Sequence, residues 1–213
     1  MQNSGGEQLP LVVLFDYGGV LAEEGFMAGL KAIAAGNGLE PDDFFRNATE
    51  IIYECGYVIG RATAAAFWNG IRERYRITGD DEALTREIHT RFILRPGMMA
   101  KVRALQKNGV RTAILSDQTD WLEMLDQRDH FLAEFSPVLN SFHLGITKRD
   151  PEVFAIAEKK IKVPAERILF VDDNPGHIGR AREMGFAAHL FTAEEDFGRA
   201  LAVLGLISSG EGE

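Results

Sequence analysis

Four places in the chain set reactive side chains where a reaction could use them. Asp16 follows the apolar run 11–15 and precedes Tyr17, Gly18 and Gly19. A carboxylate there suits a nucleophile or a metal ligand, and the glycines let backbone N–H groups and carbonyls come close to a ligand. Ser116 ends the run 112–115 and heads Ser116-Asp117-Gln118-Thr119-Asp120, where its hydroxyl suits a phosphate oxygen. Lys148 precedes Arg149-Asp150-Pro151 and offers a cation for a carboxylate and a phosphate together. Asp172 and Asp173 follow the run 168–171. Adjacent acids suit a hard cation such as Mg²⁺, and they repel each other unless something neutralises them. Each signal also has a plainer explanation. Asp16 would fit a turn, Ser116 or a nearby Asp would cap a helix over 121–125, Lys148 would sit in water, and Asp173 would cap the next helix.

These residues need a frame to bring them together. Short runs rich in Val, Ile and Leu predict strands buried on both faces of a parallel sheet, and 187–191 predicts one more. Helices are predicted over 97–108, closed by Gly109, over 151–160, opened by Pro151, and over 175–184, closed by Gly185. Alternating strands and helices predict a doubly wound, Rossmann-like α/β fold. Ligands bind such sheets at the carboxyl ends of the strands, so Asp16, Ser116, Asp172 and Asp173 are expected at one edge.

Residues 22–94 break that alternation. They predict helices over 26–35, 41–54, 63–75 and 80–92, separated by glycine-containing breaks, with Pro96-Gly97 marking the return. The expected organisation is an α/β core from 8–21 and 95–206, with a helical cap over 22–94 lying across the site as a lid. Residues 1–7 and 208–213 read as frayed ends.

The bulk composition narrows the partners. With 46% apolar and 26% charged residues the chain reads as an ordinary folded protein. A formal charge of -9 disfavours nucleic acid and anionic membranes as partners. No apolar run approaches the ~20 residues that cross a bilayer, and no signal peptide is visible. The single cysteine, Cys55, allows neither an intrachain disulfide nor a cysteine zinc site, which fits a cytoplasmic location. His89, His130, His143 and His189 lack metal-ligand spacing. Tyr57, Phe67 and Trp68 are expected to pack helices rather than line a ligand site.

Together the motifs resemble the haloacid dehalogenase (HAD) superfamily, in its phosphatase-like subfamily I branch with a helical C1 cap after the first motif. The resemblance runs from Leu11 to about Leu190 and rests on Asp16-Tyr17-Gly18-Gly19-Val20-Leu21, Ser116, Lys148 and Phe170-Val171-Asp172-Asp173-Asn174; residues 60–68 resemble the corresponding cap segment. It implies a Mg²⁺-dependent phosphatase acting on a small phosphate monoester. Asp16 would attack phosphorus and form an aspartyl-phosphate. Asp16, the Gly18 carbonyl and Asp173 would hold Mg²⁺, with Asp172 as a ligand or in support. Ser116, Asp117, Lys148 and the backbone near Tyr17 and Gly18 would bind the phosphoryl group. Oligomeric state, monomer or homodimer, stays open.

Three positions depart from the branch. Gly18 stands where a second Asp usually serves as general acid and base, Asp117 where Asn is common, and His177 where Asn is frequent. Losing acid–base help costs ~10²–10⁴-fold, so the sequence predicts slow turnover and a preference for good leaving groups, with Asp117 or His177 as candidate substitutes. Two alternatives remain at this stage: an L-2-haloacid dehalogenase-like hydrolase, which needs neither the second Asp nor a metal, and a catalytically weak phosphate-ligand binding protein.

Overall fold

A computed structural model describes residues 9–208. The expected frayed ends 1–7 and 209–213, and the first core residue 8, lie outside the described residues. Five strands form one parallel sheet: β1 (Val12–Phe15), β2 (Arg111–Ser116), β3 (Val138–Asn140), β4 (Ile168–Asp172) and β5 (Ala187–Leu190), in the order β3-β2-β1-β4-β5. The chain order reverses at β1, so the switch point lies beside Asp16 at the sheet centre. The fold is the doubly wound α/β arrangement expected.

The pleat explains why these short runs are apolar throughout. Val13, Phe15, Ile114, Leu169 and Val171 face one core cluster. Val12, Leu14, Ala113, Leu115, Ile168 and Phe170 face the other. Both faces are covered, so neither set meets water. On the first face pack α5 (Pro96–Lys107), α6 (Trp121–Asp129) and α10 (Glu194–Val203); on the second pack α8 (Glu152–Ile161) and α9 (Pro175–Glu183).

Between β1 and α5 run α1 (Gly25–Gly36), α2 (Pro41–Glu54), α3 (Ala64–Tyr75) and α4 (Asp81–His89), with a 3₁₀ turn at Tyr57–Ile59. Their apolar residues Leu30, Phe44, Ile52, Phe67, Trp68 and Ile88 belong to the same cluster as the first sheet face. Tyr57, Phe67 and Trp68 are buried there, as their aromatic character predicted. No described helix is long and apolar enough to cross a membrane.

Some boundaries differ from the sequence expectation. Helix α4 stops at His89 and not at residue 92, because Arg128 donates to the carbonyls of both His89 and Phe92 and draws 90–94 into a loop. Pro151 takes the position before α8 rather than its first turn. Strand β3, the four-residue helix α7 (Ser141–Leu144) and α10 were not expected.

Candidate active site

The strand ends bring the reactive groups to one edge. Asp16 follows β1, Ser116 closes β2, and Asp172 closes β4 with Asp173 next in the chain. Lys148 arrives on the turn before α8. There its backbone N–H donates to both Asp117 oxygens (2.9 and 3.1 Å), and its carbonyl accepts from Arg180 Nε (2.7 Å). Its side chain is 1% exposed. The ammonium sits between two carboxylates, 2.7 Å from Asp16 Oδ2 and 2.6 Å from Asp172 Oδ2.

The two acids of β4 have different surroundings. Asp172 is fully buried, and its oxygens accept from Lys148 Nζ, from the Asn174 N–H at 2.8 Å and from His177 Nδ1 at 3.1 Å. Asp173 is exposed and does not cap the following helix; Asn174 caps α9 through Gly176 N–H at 2.8 Å. The loop after β1 presses against Asp173. Gly19 has φ +80°, and a Cβ there would lie 2.2 Å from Asp173 Oδ2, so only glycine fits this close approach.

Charge sets the proton affinities. Burial raises the Asp16 carboxyl well above the usual range; Lys148 opposes this, while Asp172 and Asp173 add to it. Burial alone would raise Asp172, but Lys148 and His177 outweigh it and hold it low. Burial would lower Lys148, yet Asp16, Asp172 and Asp117 keep it firmly protonated. Asp173 is raised by the protein packed around its carboxyl, which removes part of its hydration although the residue as a whole is exposed, and then by the charge of Asp172.

The donor set fits a divalent cation. Ligand oxygens of Asp16, Asp172 and Asp173 lie within 4.8 Å of one another, close to the ~4.2 Å across an octahedral Mg²⁺ shell. One lysine among three carboxylates leaves two negative charges. Asp16 must be ionised to act as a nucleophile, and its surroundings oppose that until further positive charge arrives.

A cavity of about 460 Å³ opens over this edge. Asp16, Gly18, Ser116, Asp117, Lys148, Asp173 and His177 line its floor, and Phe26, Met27, Phe45, Ile52, Tyr53 and Val58 from the helical segment line the opposite wall. Two residues named from sequence do not face it. The Tyr17 ring is buried, stacked on Phe131 with centroids 4.8 Å apart, and its N–H donates to Asp16 Oδ1 at 2.7 Å. Asp172 lies behind Lys148. Asp117 lines the cavity, but besides the Lys148 N–H it accepts from Tyr53 Oη at 3.2 Å. Its oxygens are therefore committed to holding two elements together. His89 and His143 make structural contacts, His89 against Trp121 and His143 with Glu123 at 2.8 Å.

Sequence reasoning missed Glu24. It is half-buried in the cavity wall, and Oε2 caps α1 by accepting from Met27 N–H at 2.6 Å. Burial raises its carboxyl to about 7; the Met27 bond opposes the rise and Asp173 adds to it. Its signal was faint, since Glu is a poor helix cap and only the fold shows what lies beside it.

These features define a parallel α/β protein with an acidic, lysine-braced site at its switch point. The chain belongs to the haloacid dehalogenase-like hydrolase family, whose model matches residues 11–185, and it is a hydrolase. Bifunctional epoxide hydrolase 2 of Rattus norvegicus is 26% identical over 137 residues, which cover 61% of this chain and 24% of that protein. The chain thus spans about a quarter of that relative's length. A HAD family enzyme of Bacteroides thetaiotaomicron superposes with a TM-score of 0.75 at 20% identity, covering 91% of this chain and 99% of that one. The same enzyme has been solved with magnesium and inorganic phosphate; that structure matches at TM-score 0.70 and 20% identity, over 90% and 98% of the two chains. L-2-haloacid dehalogenase of Xanthobacter autotrophicus matches at TM-score 0.65 and 19% identity, over 92% and 83%. At these identities the structural likenesses speak for the fold.

Proposed function

We propose that this hydrolase is a Mg²⁺-dependent phosphatase that cleaves a small phosphate monoester through an aspartyl-phosphate on Asp16. The observation that carries the reading is the placement of Lys148 Nζ, 2.7 Å from Asp16 and 2.6 Å from Asp172, with Asp173 left exposed beside them. Asp16, the Gly18 carbonyl and Asp173 would hold Mg²⁺. Bound there, the ion supplies positive charge to the transferring phosphoryl group. Asp172 serves chiefly to hold Lys148, since protein donors already use both its oxygens.

The chain's own residues divide the remaining work. Lys148 directs the Asp16 carboxylate and offsets charge on the phosphoryl oxygens. Ser116 and the backbone after Asp16 orient those oxygens. Helices α1–α4 act as the cap, and their apolar wall limits water around the leaving group. The bacterial enzyme solved with magnesium and phosphate lends the reading support through its shared fold. A single cysteine agrees with a cytoplasmic setting.

The test is turnover of a panel of aryl and alkyl phosphates with Mg²⁺, beside an Asp16→Asn control. Activity abolished by EDTA and by Asp16→Asn is expected. Dehalogenation of a 2-haloacid that persists in EDTA would overturn the reading in favour of halide displacement, and tight phosphate binding without turnover would overturn it in favour of a binding protein.

A further inference from the structure

We propose that Glu24 is the general acid and base of this active site, taking the part left vacant by Gly18. The inference rests on the phosphatase reading above and adds a residue to it.

A Cβ placed on Gly18 would lie 3.8 Å from Glu24 Oε1 and 3.2 Å from Phe92 Cε1. Space that a side chain at position 18 would use is therefore shared by a carboxylate from the start of α1 and a ring from the loop after α4. Glu24 and Asp16 line the same cavity. One oxygen of Glu24 is tied to Met27 N–H at 2.6 Å. Among the described residues no protein group donates to the other, Oε1, which is thus held in place yet free for a ligand. Burial also favours the protonated form of this carboxyl, as a donor requires.

Of the sequence candidates for this role, Asp117 is engaged through both oxygens and His177 through one ring nitrogen only. Asp117 accepts from the Lys148 N–H and from Tyr53 Oη. His177 Nδ1 lies 3.1 Å from both Asp172 oxygens. Outside the carboxyls proposed to hold Mg²⁺, Glu24 offers the cavity an oxygen that, among the described residues, accepts from no protein group.

The steps balance. As Asp16 forms its bond to phosphorus, the ester P–O bond breaks and the leaving oxygen takes the Glu24 proton, giving an alcohol and the aspartyl-phosphate. The Glu24 carboxylate then accepts a proton from water as the water oxygen bonds to phosphorus. The P–O bond to Asp16 breaks, phosphate leaves, and both carboxyls return to their starting forms.

Glu24→Gln tests this, because the amide oxygen still caps α1. With Mg²⁺ present, kcat for an alkyl phosphate should fall ~10²–10⁴-fold. With p-nitrophenyl phosphate, whose leaving group needs no proton, the variant should release a rapid burst of about one p-nitrophenol per enzyme and then turn over slowly, since hydrolysis of the intermediate still lacks its base. Formate should restore part of the alkyl phosphate rate to Glu24→Ala, which a merely structural role would not allow. Wild-type turnover that requires Asp16 and Mg²⁺ but is matched within threefold by Glu24→Gln would overturn the assignment and leave the phosphatase reading standing. An activity loss with no burst and no formate response would overturn it too, reducing Glu24 to a helix cap. No wild-type turnover of any phosphate ester would sink the phosphatase reading itself, and this assignment with it.

Discussion

Replacing Lys148 with methionine keeps the length of the side chain and removes its charge from between Asp16 and Asp172. In the wild type, burial works to raise Asp172, but Lys148 and His177 hold its carboxyl below the ordinary range. Asp172 is 0% exposed, so the variant cannot solvate the abandoned carboxylate without opening the core. Breaking such a buried pair costs ~3–5 kcal/mol. A bound follows from protonation: neutralising one aspartate of unfolded pKa ~3.9 at pH 7 costs about 4 kcal/mol. For a chain of this size ~1 kcal/mol shifts Tm by ~2–4 °C, so a loss of ~6–16 °C is expected at pH 7. The sign with pH is also fixed. Asp172 in the variant becomes a buried acid with a raised pKa, protonated when folded and ionised when unfolded, so its penalty shrinks as pH falls. Between pH 7 and pH 5 the gap to wild type should close by ~1.4 kcal/mol per unit. Calorimetric melts of both proteins in EDTA measure this, since EDTA keeps a cation from replacing the lost charge. A gap under ~2 °C at pH 7, or one that stays constant down to pH 5, would refute the placement of Lys148 as the charge that makes the buried acids tolerable.

Two further substitutions probe the frame of the site. Gly19→Ala places a methyl 2.2 Å from Asp173 Oδ2 at φ +80°. The left-handed backbone should cost ~1–2 kcal/mol, and the displaced Asp173 should weaken Mg²⁺ binding tenfold or more, read as a smaller rise in Tm on Mg²⁺ titration. His89 is lowered to about 4, first by burial and then by Arg128, with Asp120 opposing. It is neutral in the fold and protonates more readily when unfolded, so stability should be present above pH ~6.5 and be lost as pH falls towards 4. His89→Phe keeps a ring against Trp121 and should lose up to ~7–14 °C less than wild type over that window, in melts run at intervals of half a pH unit.

The parts of the fold visible in the sequence are those where burial leaves no freedom. Strands β1, β2 and β4 lie at the sheet centre, and each must be apolar on both faces, which makes Val12–Phe15 or Ile168–Asp172 stand out from its surroundings. Strand β3 is three residues at the edge, and no run announces it. Helix α10 buries Phe197 and Leu201 alone, too thin a stripe to mark a period. The site divides along the same line. Asp16, Ser116, Asp172 and Asp173 were legible because each ends or directly follows a central strand, and strand ends meet by topology. Contacts between distant segments left no trace. Glu24 from the start of α1 and Phe92 from the loop after α4 meet beside Gly18 only in the folded chain.

That same loop explains how a glycine at position 18 is compatible with a working site. Phe92 lies 3.2 Å from where a Gly18 side chain would begin, so an aspartate there would require the ring, packed against Tyr17 at 5.6 Å between centroids, to give by a few tenths of an ångström. Tyr17 in turn stacks on Phe131 beneath α6. Giving position 18 a side chain would therefore disturb a buried aromatic stack that joins the helical segment to the sheet, at a typical overpacking cost of ~1–3 kcal/mol. A carboxyl delivered from α1 reaches the same region without that cost. It also makes any proton transfer there depend on how closely α1 sits over the sheet edge, so motion of the helical segment would gate the chemistry as well as entry to the cavity.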